Sequence, residues 1–194
     1  MIPMATQSHS SYLTGKLLLA MPSMGDSRFH HAVIFVISHH ALGAMGLIVN
    51  SPVQDFTFDQ LMKEAGLADI PIKRSGVVLL NGGPVEIQHG FLLHTSDYTQ
   101  ENTIEVNAGL SVSASLDALQ AFAGGQVPKE GLLALGYAGW GSGQLEQELQ
   151  DNAWSVVDSD YEILFNTPLE DRWERAFSRL GVDPSLMSHE AGRA

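Results

Sequence analysis

Short apolar runs separated by turn residues dominate the first two thirds of the chain and predict a sheet. Residues 32–37 form a continuous β-branched and aromatic run, typical of a strand buried on both faces. Residues 43–46 are expected to turn the chain into 47–49, which would close a hairpin with that strand. The predicted strands are 16–20, 32–37, 47–49, 77–80, 90–94, 103–106, 132–135, 155–157 and 161–165.

Four segments carry helical signals between and after these strands. Thr57 and Gln60 form a capping box that predicts a helix over 58–65. Ser115 predicts the start of a second helix over 116–123. The third helix is expected over 144–152, and the fourth is opened by the sequence Thr-Pro-Leu-Glu at 167–170, with Trp173, Phe177 and Leu180 facing inward.

A glycine-rich segment follows the apolar run 132–135 and predicts a sharp turn. Gly136, Gly139, Gly141 and Gly143 lie within eight positions, which indicates positive φ or close backbone approach. Ser142 is expected to be the N-cap of the helix that follows. Such a turn would present free N–H groups at a helix N-terminus, where anions bind favourably.

Strands and helices alternate irregularly, and hairpins are present, so the pattern favours an α+β fold over a doubly wound sheet. The length of 194 residues fits one domain. We expect a flexible N-terminal arm over 1–14, a single domain over 15–187 and a flexible tail over 188–194.

Charge and composition restrict the classes of function that the chain can have. The formal net charge is −12, and because duplex DNA binding depends on Lys and Arg, direct nucleic-acid binding is disfavoured. The absence of cysteine excludes disulfides and thiolate chemistry. No apolar run is long enough to span a membrane and no secretory signal is present at the N-terminus, so a cytoplasmic location is expected.

Several chemical motifs are incomplete. A dinucleotide fingerprint would need glycine at Gln144, and a nucleophile elbow around Ser142 would need glycine there and at Trp140. His31 and His39 would lie about 26 Å apart on one strand, so they cannot share a metal ion. We therefore predict no catalytic residue, metal or cofactor.

The chain has more glycine-rich turns than are needed to connect its strands and helices, and loops often carry function. We therefore predict a binding face formed by these turns, one indole and neighbouring polar side chains. Its predicted members are Asn50, Asn81, Gly82, Gly83, His39, His94, Gly139, Trp140, Gly141, Gly143 and Gln144.

The chain resembles the AlgH/YqgE family of bacterial proteins over about residues 15–181. Ser38 stands where that family often has an acid. The resemblance implies a mixed or antiparallel sheet curled into a pseudo-barrel with flanking helices. It also implies a transcriptional-regulator label, without an established activity, cofactor or ligand. The matching segments are 18–22, His39 with 43–50, 82–85, 90–94, 139–145, 152–154, 172–173 and 180–181.

Three functional hypotheses follow. The first is a non-enzymatic binding or regulatory protein that acts on transcription, directly or through an unknown protein partner. The second is a small-anion binder or enzyme that uses the glycine turns and a histidine as acid or base. The third is a direct DNA-binding regulator, which the net charge disfavours. The oligomeric state stays open.

Overall fold

A computed structural model describes residues 12–187 of the chain. Within this range the strands form one nine-stranded sheet, in the order β6-β7-β5-β8-β3-β2-β1-β9, with β4 beside β8. The strands are β1 Lys16–Ala20, β2 Val33–His40, β3 Gly43–Ile48, β4 Leu79–Asn81, β5 Val85–Thr95, β6 Ile104–Asn107, β7 Leu110–Ser113, β8 Gly131–Gly141 and β9 Trp154–Asp158.

The predicted α+β class is confirmed, and the sheet is a curled half-barrel. Its strand pairs are antiparallel except for β4 and β8, which run parallel. Asn107 at the end of β6 donates to Gly15 O, just before β1, and to Ser159 Oγ, just after β9. The two edges of the sheet therefore approach each other at this residue.

Four α-helices cover the sheet in the described range: α1 Phe58–Glu64, α2 Leu116–Gly124, α3 Gln144–Gln150 and α4 Arg172–Ser178. The capping box of α1 and the Ser115 cap of α2 are present as predicted. Trp173 and Phe177 of α4 pack into the same apolar cluster as Phe35 and Leu93 from the sheet. Leu180 is 40% exposed, so its predicted inward position is wrong.

The segment after β9 is helical, which corrects the predicted strand 161–165. Asp160 Oδ1 accepts the backbone N–H groups of Glu162 and Ile163, and a π-helical turn covers Glu162–Asn166. Thr167 closes this turn by donating its hydroxyl to Glu162 O. Because Thr167 is engaged there, it does not cap the last helix, and a 3₁₀ turn precedes α4.

Other differences concern strand ends. β3 begins at Gly43, so residues 43–46 are strand and the hairpin turn lies at 41–42. β7 was not predicted, because Leu110 and Val112 alternate with serines over only four residues. Tyr12 to Thr14 belong to the predicted arm, and the Leu13 side chain is buried. Residues 1–11 of that arm and the predicted tail 188–194 lie outside the described residues.

Candidate functional site

The glycine-rich segment is a strand, which corrects the predicted turn over 136–143. β8 runs without interruption from Gly131 to Gly141, and the change of direction before α3 occurs at Ser142 and Gly143. Gly143, with φ of 71°, is the N-cap, and no side chain in the described part of the chain caps the helix. Ser142 instead donates its hydroxyl to Ala41 O, so its predicted capping role is wrong.

Three glycines, two of them outside this segment, allow neighbouring backbones to pass close to each other. A Cβ on Gly83 would lie 2.1 Å from the carbonyl carbon of Tyr137, and one on Gly43 would lie 2.2 Å from Trp140 O. A Cβ on Gly136 would lie 2.5 Å from Gly83 O. These separations are below any contact that a Cβ makes in proteins, so glycine is required for the fold at these positions.

Three backbone amides of the predicted binding face are hydrogen-bonded within the protein. Gly82 N–H donates to Leu135 O, and Gly83 N–H donates to the Asn81 side chain. Gly141 N–H donates to the Gln144 side chain. Gly82 and Gly83 lie against 134–138 of β8, whereas Gly139, Gly141 and Gly143 lie farther along, near β3 and α3.

Trp140 is 7% exposed and belongs to the layer between the sheet and α3. Its Nε1–H donates to Glu148 Oε2 at 2.8 Å, and the indole of Trp154 donates to the same oxygen at 2.8 Å. Gln144 Nε2 donates to the other carboxylate oxygen. One α3 carboxylate therefore anchors both indoles, and Trp140 is not presented at the surface.

The His39 side chain connects the segment before β1 to helix α3. Its Nδ1 accepts the Leu13 N–H at 3.1 Å, so Nε2 carries the proton and donates to Glu146 Oε1 at 3.0 Å. The backbone amide of Glu146 and this contact lower the pKa of the Glu146 carboxyl. Sequence reasoning missed Glu146, although its position at the start of a predicted helix was visible.

His94 is fully buried, and burial lowers its pKa, so the ring is neutral at neutral pH. Its Nδ1–H donates to Thr95 O at 2.8 Å, which leaves Nε2 to accept the Ser113 hydroxyl at 2.9 Å. Ser113 Oγ also lies 2.9 Å from Thr103 Oγ1. His94 and Ser113 therefore form a polar chain inside the protein.

The Asn50 side chain fixes the backbone at His31, whose ring belongs to an aromatic stack. From the sequence, His31 was considered only as a possible metal ligand. The Asn50 side chain accepts the Val33 N–H and donates to His31 O, and His31 has a left-handed φ of 54°. The His31 ring stacks on Trp173 at 4.0 Å and on His30 at 4.1 Å. Burial, followed by the charge of His30, lowers the pKa of His31.

An apolar recess lies elsewhere, between α1, α2 and β5. We call it the α1–α2 groove. It has a volume of about 670 Å³. Ile87 and Leu116 line it while remaining 62% and 56% exposed. The other lining residues are Phe56, Leu61, Glu64, Ala65, Gln88, His89, Gly90, Leu92, Ser113, Ala114, Ser115, Leu119, Leu133 and Leu135.

Local structure explains why this groove is open. α1 and α2 direct Phe58, Met62 and Phe122 into a cluster beneath it, while Leu116 lies in the first turn of α2. In β5 the register to β8 shifts between Val85 and Gly90, and Glu86 has a φ of 49°. This bulge places Ile87 at the surface.

Residues 12–187 contain neither a cluster of metal ligands nor a helix that could span a membrane. Within that range no three His, Asp or Glu side chains are grouped closely enough to hold a metal ion. In the same part of the chain, no helix is both long enough and apolar enough to cross a membrane.

Comparisons with known proteins place this geometry in context. The profile of the family described as DUF179, AlgH-like, matches residues 17–185. A UPF0301 protein of Rhodospirillum rubrum is 44% identical over 193 residues, and the match covers 100% of both chains. A UPF0301 protein of a Bradyrhizobium strain is also 44% identical, with 96% of this chain and 90% of the relative covered.

Two solved structures are similar in fold. The solution structure of the AlgH protein from Pseudomonas aeruginosa matches with a TM-score of 0.77 and 40% identity, covering 98% of this chain and 100% of that one. A protein from Corynebacterium diphtheriae matches with a TM-score of 0.70 and 24% identity over 86% of both chains, which shows the fold alone.

Proposed function

The chain belongs to the AlgH-like family DUF179, and from this premise we propose that it is a non-enzymatic binding protein that docks a protein partner in the α1–α2 groove. We further propose that its effect on transcription is indirect and passes through that partner. The observation that carries the proposal is the pairing of exposed Ile87 and Leu116 on one apolar recess.

The exposed apolar side chains favour a macromolecular partner. Two large aliphatic side chains more than half exposed on the same recess leave apolar surface in water, and such patches mark interaction sites. A partner segment that inserts an apolar side chain between them would remove this surface from water.

Charge specifies the chemistry of the partner segment. Glu64 lines the groove, and Glu86 and Asp117 adjoin its two exposed apolar residues in sequence. An apolar segment flanked by Lys or Arg would complement this rim. A second copy of the chain is a poor occupant, because each copy carries a net charge of −12 and the two would repel.

The contacts of His39 and His94, the two histidines of the predicted binding face, support a non-enzymatic role. Both ring nitrogens of His39 and of His94 are hydrogen-bonded within the protein. Ser113, which lines the groove and contacts His94, is 3% exposed and also contacts Thr103, so its hydroxyl is poorly placed for attack on a substrate.

The test is site-specific photo-crosslinking in cells from a benzophenone side chain at Leu116, followed by sequencing of the crosslinked peptide. We expect an apolar peptide flanked by Lys or Arg. The substitution Ile87→Asp should reduce the crosslink about tenfold or more, because a carboxylate would be desolvated in the bound groove.

Ile104→Asp is the matched control, because Ile104 is 58% exposed on β6, outside the groove. It should leave the crosslink unchanged. Both variants should melt close to the parent, since both side chains already face water. A crosslink to a second copy of this chain, or one that Ile104→Asp removes equally, would refute the proposal.

A further inference from the structure

Arg172, the first residue of α4, is a buried cation without a carboxylate partner among residues 12–187. It is 4% exposed. Its Nε donates to Thr167 O at 3.0 Å, and Nη1 donates to Val49 O. Nη2 has no partner in the described part of the chain. Burying an unpaired charge is costly, and burial lowers the pKa of Arg172 to about 10.

The Arg172 side chain lines a cavity of about 290 Å³, which we call the arginine cavity. Arg74 lines it too, but its three guanidinium nitrogens donate to the carbonyls of Phe122, Lys129 and Pro128. Arg74 therefore adds positive charge, while Arg172 retains a free donor.

The mouth of the cavity is a loop with further free donors. Ser75, Gly76, Val77 and Val78 line the cavity. Their backbone N–H groups donate to no backbone acceptor within the described chain. Ser75, Gly76 and Val78 are exposed, so the cavity is reached from solvent at this loop. Backbone amides and a guanidinium that line the same cavity are groups that can bind an oxyanion.

The remaining walls are apolar, since Leu80, Phe122, Leu132 and Phe165 also line the cavity. Glu130 lines the cavity as well and opposes any anion there, but with Arg74 and Arg172 it leaves the lining a net charge of +1, which one carboxylate would neutralise. We propose that the arginine cavity binds a small monocarboxylate, with the carboxylate on Arg172 and the loop amides and the aliphatic body against the apolar walls. This site is separate from the α1–α2 groove, with which it shares no lining residue.

The experiment is calorimetric titration of the full chain with acetate, butyrate and hexanoate at constant ionic strength. Affinity should rise about fourfold for each added methylene, the equivalent of about 0.8 kcal/mol. Hexanamide, which has the same body without the charge, should bind about tenfold more weakly than hexanoate. Equal binding of hexanamide, or no heat with hexanoate, would overturn the proposal.

Variants locate the binding site. Ser75→Glu places a carboxylate at the mouth and should weaken hexanoate binding about tenfold, whereas Ser23→Glu makes the same charge change at an exposed position elsewhere and should not. Arg172→Met, where it folds by circular dichroism, should lose the preference for hexanoate over hexanamide. Hexanoate binding that survives Ser75→Glu unchanged would place the ligand elsewhere. Ile87→Asp should bind hexanoate like the parent, so this proposal and the groove proposal can fail independently.

Discussion

At the residue scale, His94 couples the stability of the protein to pH. Burial lowers its pKa, and the hydrogen bond to Thr95 O and the charge of Asp97 oppose this effect without cancelling it. The unfolded chain titrates near the ordinary histidine pKa of about 6.5. Below that pH the unfolded state therefore binds a proton that the folded state does not, and stability is lost as pH falls.

We predict that the free energy of unfolding, measured in urea between pH 7 and pH 5, falls more steeply for the parent than for His94→Asn. If the unfolded state binds one proton more than the folded state, the free energy of unfolding changes by up to about 1.4 kcal/mol per pH unit. His89→Asn is the control, because His89 is exposed. Equal slopes in the parent and His94→Asn would show that His94 does not bind protons differently in the two states.

Other single-residue roles could not be predicted, because their partners are distant in sequence. The sequence predicts His39 and His94 to be binding residues, yet in the structure His39 contacts Glu146, 107 positions away. Likewise, nothing in the local sequence indicates that Glu148 receives two indole N–H groups. A sequence pattern shows which side chains are able to bind ligands or transfer protons. Tertiary contacts determine whether they do so or only stabilise the fold.

At the element scale, local signals predicted α1 and α2 well, since their caps depend on residues within three positions. The glycine-rich part of β8 was predicted wrongly because glycine serves two purposes. It permits positive φ in turns, and it permits close approach between backbones. In β8, Gly136 serves both purposes, because its φ is 73° and an added Cβ would lie 2.5 Å from Gly83 O, whereas Gly143 beyond the strand serves only the first.

We predict that these two purposes can be separated by alanine substitution. Gly83→Ala should cost more than about 3 kcal/mol or prevent folding, because its Cβ would lie 2.1 Å from the Tyr137 backbone. Gly143→Ala should cost only about 1–2 kcal/mol, since φ is 71° but no atom of residues 12–187 outside its chain neighbours lies within 4 Å of the added Cβ. Urea unfolding measures both, and similar losses would contradict the assignment of Gly83 to backbone crossing.

At the scale of the whole molecule, the sequence indicated strands and fold class but not strand order. β8 lies next to β3, β4 and β5, and none of these follows it or precedes it directly along the chain. The resemblance to the AlgH/YqgE family, and not periodicity, implied the curled sheet. The α1–α2 groove and the arginine cavity were missed for the same reason, because each is assembled from segments that only the tertiary fold brings together.

Asn107 bridges the two edges of the half-barrel, because its side chain joins β6 to both Gly15 and Ser159. We predict that Asn107→Ala costs about 1–2 kcal/mol, the sum of two modest hydrogen bonds. Amide hydrogen exchange should accelerate in β6 and around residues 15–16, because the sheet edges would separate more often. Asn166→Ala is the control, since the Asn166 side chain donates to nearby Glu162 within its own helical turn. Unchanged exchange in β6 after Asn107→Ala would mean that side chains of the interior cluster, and not this residue, hold the two edges together.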